Sequence, residues 1–217
     1  TAEISSLSDH ITFFNNNNSF GDIMPGVSIF GTFSVYIHGT AFHLEDLGVK
    51  ITISDEAGNT WINTVPVSIS GPYLIVEDYV GETLPGATTD LTINIENGGS
   101  KSATNFVVEL LSYENLVTVV SEAVTLDNVL SGEHILLDGF NVSFSDAVIN
   151  GSVLPVKIVL TSSDGYTRQE VINIMVGEVR ESDPLGPDPY GYYIYDSGDI
   201  DYDLVPDYDW IEIAEGL

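Results

Sequence analysis

Two ten-residue stretches, more than a hundred positions apart, follow one pattern without a gap. Val49-Lys50-Ile-Thr-Ile-Ser-Asp-Glu-Ala-Gly58 matches Val156-Lys157-Ile-Val-Leu-Thr-Ser-Ser-Asp-Gly165. Phe33-Ser-Val35 likewise matches Phe140-Asn-Val142, and Asp22-Ile-Met-Pro-Gly26 matches Asn128-Val-Leu-Ser-Gly132. The offset is 106 at the earlier match and 107 afterwards, so one residue is inserted between them. Self-similarity at a fixed period constrains a chain strongly, because each repeat must be one supersecondary or domain-sized unit. Residues 1–71 therefore read as the second half of a unit whose full copy spans 72–178. Half a unit exposes an apolar sheet face and unpaired edges. The missing strands are expected from an excised upstream segment, from a neighbour by strand addition, or from closure of 1–71 on itself.

The local pattern is that of β-structure. Phe33, Val35 and Ile37 alternate with polar residues, as do Val49, Ile51 and Ile53, and as do Leu91, Ile93 and Ile95. Asp55-Glu-Ala-Gly58-Asn59, Asn97-Gly98-Gly99 and Ser131-Gly132 punctuate these runs as turns. Further short strands are expected at 61–69, 73–76, 106–110, 117–119, 123–126, 135–137, 140–144, 156–160 and 171–176. Seven to nine short strands between 72 and 178, with no window of helical period, predict an all-β fold. The expected architecture is tandem immunoglobulin-like β-sandwich modules, the N-terminal one incomplete.

Composition narrows the function. Five basic residues stand against 33 acidic ones, a formal charge of −28. Such a surface repels nucleic acid and anionic lipid, and it attracts divalent cations. No apolar run reaches the roughly 18 residues of a membrane span, so no membrane insertion is expected. The absence of cysteine excludes disulfides, thiolate metal sites and a cysteine nucleophile in this chain. Thr1-Ala-Glu-Ile lacks the basic and apolar segments of a secretion signal, which suggests a processed or excised piece. His10, His38, His43 and His134 are scattered, and no nucleophile elbow or other catalytic constellation stands out, so no enzyme activity is expected.

The densest acidity follows the last strand. Residues 179–217 read as an acidic connector, rich in Tyr, Pro and Gly, that leads into a further element. Asp183, Asp188, Asp196, Asp199, Asp201 and Asp203 sit among Pro and Gly kinks, and Tyr190, Tyr192, Tyr193 and Tyr195 interleave with them. Carboxylates crowded this way repel one another, and a hard cation taking six to eight oxygen ligands relieves that. Without Cys or His nearby, calcium is the expected cofactor, held by those six aspartates. The aromatics argue for order, since disordered linkers avoid them. Trp61 and Trp210 could stack sugars; the plainer reading puts Trp61 in the core of its hairpin.

Leu91-x-Ile-x-Ile-x-Asn97-x-Gly99 and Ala103-Thr-Asn-Phe-Val-Val-Glu-Leu110 resemble the bacterial cell-adhesion-related immunoglobulin-like repeats of large secreted proteins. Some of those proteins carry gingipain-type or subtilisin-like peptidase domains. Asp183-Pro-x-Gly-Pro-Asp188-x-Tyr-Gly-Tyr-x-x-Tyr-Asp196 is similar to the connector that follows such repeats. The resemblance implies non-catalytic, extracellular or cell-surface modules with a calcium-stabilised connector. It implies partners among neighbouring modules, identical subunits, or surface and matrix glycans. A peptidase core with its His–Cys pair is absent, so peptidase activity is not implied. Two alternatives stand beside this: a fibre or surface-layer subunit that assembles by strand complementation, and a carbohydrate-binding accessory module of a secreted enzyme.

Overall fold

The computed structural model describes residues 1–41, 43–163, 165–199 and 201–205. Among them the regular structure is strand alone, paired antiparallel throughout. The first six strands are β1 (Ala2–Ser5), β2 (Ile11–Asn15), β3 (Asn17–Asn18), β4 (Ser34–Ile37), β5 (Val49–Ser54) and β6 (Thr60–Val65). They form one sheet of order β3-β1-β5-β6 and a separate two-stranded ladder, β2-β4. The β5–β6 hairpin closes where the sequence places its turn. The Asp55 carboxylate accepts from the Asn59 amide at 2.9 Å and from its side-chain nitrogen at 2.7 Å. Gly58 supplies the left-handed residue, with φ at 85°.

The remaining strands are β7 (Leu74–Val80), β8 (Thr88–Asn97), β9 (Ala103–Ser112), β10 (Val117–Val119), β11 (Val124–Val129), β12 (His134–Phe144), β13 (Ser152–Ser162) and β14 (Thr167–Val176). Two four-stranded sheets, β10-β12-β8-β7 and β11-β9-β13-β14, face each other across one apolar core. Alternation accounts for this directly. Leu91, Ile93 and Ile95 of β8, Phe140, Val142 and Phe144 of β12, and Val156, Ile158 and Leu160 of β13 all point inward and are buried. Each such side chain contributes about 1.5–3 kcal/mol by leaving water. β12 is a single strand where the sequence suggests two. Its register shifts between Leu137 and Phe140, so the polar Asp138-Gly139 pair is a bulge and not a turn.

Asn97 explains the Asn-Gly-Gly punctuation after β8. Its buried side chain accepts from the amides of Tyr73 and Gly99, each at 3.1 Å. It donates to the carbonyls of Lys101 at 2.8 Å and Val129 at 3.0 Å. Four backbone groups at one end of the two-sheet unit are thereby satisfied by one amide. A Cβ on Gly99 would stand 2.4 Å from the Gly71 carbonyl oxygen, so only glycine lets the chain pass there. Along the opposite margin, β7 is clasped to β14. Glu170 accepts from the Val76 amide at 3.1 Å, and the Tyr79 hydroxyl accepts from the Met175 amide at 3.0 Å. The Arg168 guanidinium, paired with Glu170, lies 4.1 Å from the Tyr73 ring centroid.

The ladders of residues 1–71 recur in the larger unit pair by pair. Ile4↔Ile51 stands where Leu110↔Ile158 stands, and Ala2↔Ile53 where Val108↔Leu160 stands. Ile11↔Ile37 corresponds to Val117↔Phe144, Ala2↔Asn18 to Val108↔Val124, and Val49↔Val65 to Val156↔Ile172. Each correspondence follows the offset of 106 before residue 26 and 107 after residue 33. Nothing in 1–71 corresponds to β7, β8 or the first half of β9. No described ladder joins the strands before residue 71 to those after it.

Candidate functional site

Of the six aspartates expected to share one ion, Asp188, Asp196 and Asp199 accept backbone amides of turns in the structure. Asp188 accepts from the amides of Tyr190 at 2.8 Å and Tyr192 at 2.9 Å, which folds 188–192 into a tight turn. That turn brings Leu185 and Ile194 together through two backbone hydrogen bonds of 3.0 and 2.8 Å. Asp196 accepts from the Gly198 amide at 2.6 Å, and the buried Asp199 accepts from the Asp196 amide at 2.6 Å. Asp201 and Asp203 are exposed. None of the six belongs to a set of three carboxylate or imidazole donors within 4.8 Å of one another among the described residues.

Asp183 has a different task. It is buried, and it fastens the connector to the two-sheet unit. The Tyr202 hydroxyl donates to it at 2.6 Å and the Asn150 side chain at 3.2 Å, while the Arg180 amide donates to its second oxygen. Nearby, the Tyr193 hydroxyl meets Ser152 at 2.9 Å, and the Tyr195 and Tyr202 rings pack edge to face. Burial by itself would raise the Asp183 carboxyl, but the three donors outweigh it and hold the group below the ordinary range. Burial and the bond to Asp183 push the Tyr202 phenol up to about 12. The interleaved tyrosines thus act as hydrogen-bonding anchors at Tyr193 and Tyr202, whereas Tyr190 and Tyr192 are exposed. Asn150, within one of the chain's Asn-x-Ser sequences, is half-buried and engaged in this latch.

The described residues hold one donor set that the sequence does not single out: Glu77, Glu96 and His134. Glu96 faces His134 across the β8–β12 ladder, and Glu77 falls at a register shift of β7, so the three lie side by side on the outer face of one sheet. His134 Nδ1 is 2.9 Å from Glu77, and the hydrogen bond to Glu77 raises the imidazole's pKa, aided by that carboxylate's charge and by Glu96. Two carboxylates with one imidazole suit a borderline divalent ion better than calcium, which prefers oxygen alone. The three residues meet only through strand register, and no spacing along the chain announces them.

Trp61 is more than half exposed on β6, so it is not a core residue. It borders an open cleft of about 770 Å³ lined also by Thr1, Phe20, Ile23, Ile53 and Asp55. Trp210, its expected partner for sugar stacking, lies outside the described residues. No family model matches the chain, and no curated protein matches it.

Proposed function

We propose that this chain is a non-catalytic stretch of immunoglobulin-like modules in an extracellular or cell-surface protein, serving as spacer or adhesive array. The observation that carries the reading is the ladder-by-ladder recurrence between 1–71 and the β9–β14 half of the larger unit. Repetition with conserved register is how arrays are built, each unit a version of its neighbour. Two features fit a load-bearing role. β7 is fastened to β14 at Val76 by Glu170 and at Tyr79 by the Met175 amide, and Arg168 covers Tyr73 just ahead of it. The connector is latched back onto its unit at Asp183 rather than left trailing. The excess of 28 negative charges keeps such an array dispersed and away from anionic polymers.

Single-molecule extension of the full chain tests this. The array reading expects one discrete, cooperative unfolding event spanning residues 72–178, at lower force once Glu170 is replaced by alanine. Gradual extension without a discrete event contradicts it. A second reading, assembly by strand complementation, draws support from β4, whose four residues are all exposed and which pairs on one side only among the described residues.

A further inference from the structure

We propose that the open side of residues 1–71 seats a donor segment drawn from the first half of the same repeat, equivalent to residues 72–106, entering in line with β1. This rests on the reading of 1–71 as a partial copy, and it adds the identity and register of what completes it.

The cleft beside Trp61 marks the path. In the larger unit, Ala103–Val107 of β9 pair with Thr125–Val129 of β11, and Phe106 pairs with Ser162. The counterparts of Thr125–Val129 are residues 19–23, and the counterpart of Ser162 is Asp55. Phe20, Ile23 and Asp55 are walls of the cleft, and Thr1 stands at its inner end in the place of Val107. An extended donor strand lying in line with β1 fits this space. The β4 edge gives the rest. β12 pairs with β8 at Phe140↔Leu91 and Val142↔Thr89. Phe33 and Val35 hold the places of Phe140 and Val142, and among the described residues no strand pairs with β4 on that side. Trp61 holds the place of Arg168, which covers Tyr73, so its exposed ring awaits the start of a β7-like strand.

Charge says what kind of attraction is at work. Residues 1–71 carry seven acids against one lysine, and residues 72–106 carry five against one. Like-charged partners associate through backbone pairing and apolar burial, so their affinity rises as salt screens the repulsion.

The test adds a synthetic peptide of residues 72–106 to the full chain and reads amide hydrogen exchange at 34–37. Slowing of about tenfold or more is expected, greater at about 500 mM salt than at about 50 mM, and absent with the exposed-site variant Val35→Asp. Placing the same 35 residues directly ahead of Thr1 is expected to give that protection without added peptide. Unchanged exchange in both formats overturns the proposal. So does binding that weakens with salt, or a full chain that already sediments as a dimer with 34–37 protected, since a second copy then covers the face. Unprotected 34–37 together with an intact Ile4–Ile51 cross-strand contact faults this inference alone; loss of that contact faults the repeat reading beneath it.

Discussion

The same ladders behave differently in the two regions, and the difference isolates what a covering sheet does. Val142, Phe144 and Leu160 are 0–2% exposed, whereas Val35, Ile37 and Ile53, at the corresponding positions, are 41–47% exposed. Yet Ile4, Ile11, Ala41 and Leu47 are buried, as are their counterparts Leu110, Val117, Val148 and Leu154. Strand pairing and turns are alike in both; even the hydrogen bond from His38 to the His10 carbonyl recurs as Ser145 to Leu116. What 1–71 lacks is the pair of strands, β7 and β8, that extends the sheet beside β12 and lies over β13 and β14. Local pattern is thus enough to set register, and the second sheet is what converts register into a closed core.

Paired truncations press on this comparison hardest. Ile158→Ala removes a fully buried side chain and is expected to cost about 2–5 kcal/mol in urea denaturation, by lost burial plus a cavity. Ile51→Ala, at the equivalent but half-exposed site, should cost less than half as much. Equal costs would mean that 1–71 has a closed core of its own.

The connector latch comes next in size. Asp183→Ala leaves the Tyr202 hydroxyl, the Asn150 amide and the Arg180 amide without their acceptor, a loss of about 1–3 kcal/mol of local stability. Exchange at 185–194 should accelerate while the core strands stay protected. Its pH dependence has two limits. Asp183 has a depressed pKa in the folded chain, so its contribution is complete above the ordinary Asp value near 3.9 and fades as pH falls through the folded one. Tyr202 has a raised pKa, so its contribution is complete below about 10 and lost as pH climbs toward about 12, where tyrosinate absorbance should follow release of the segment.

Calcium should have the smallest effect. With Asp183, Asp188, Asp196 and Asp199 already engaged by amides and hydroxyls, melting curves in calcium and in chelator are expected to superimpose. A rise of several degrees with calcium would restore a shared ion to Asp183–Asp203.

Much of this fold was legible because its determinants are local. Alternation marked β5, β8, β13 and β14, and Asp55-to-Asn59 and Asn97-to-Gly99 marked their turns. β1 and β2 were hidden: four and five residues long, set among Ser and Asn, they take their identity from long-range partners in β5 and β4. The connector's tyrosines were legible as residues that would pack, but the hydrogen bonds of Asp183, Asp188, Asp196 and Asp199 were not. Whether a carboxylate meets an ion or the backbone amide two or three residues on is decided by turn geometry, which composition does not encode. Glu77, Glu96 and His134 lay beyond reach for a similar reason, being neighbours only through register.

The central claim is that 1–71 repeats the ladders of β9–β14 without their cover. Residue-resolved hydrogen exchange on the full chain tests it most directly, by setting β4 against the matching stretch of β12. The account predicts that amides at 141–144 exchange at least about 100-fold more slowly than those at 34–37. Equal protection of the two strands would contradict it.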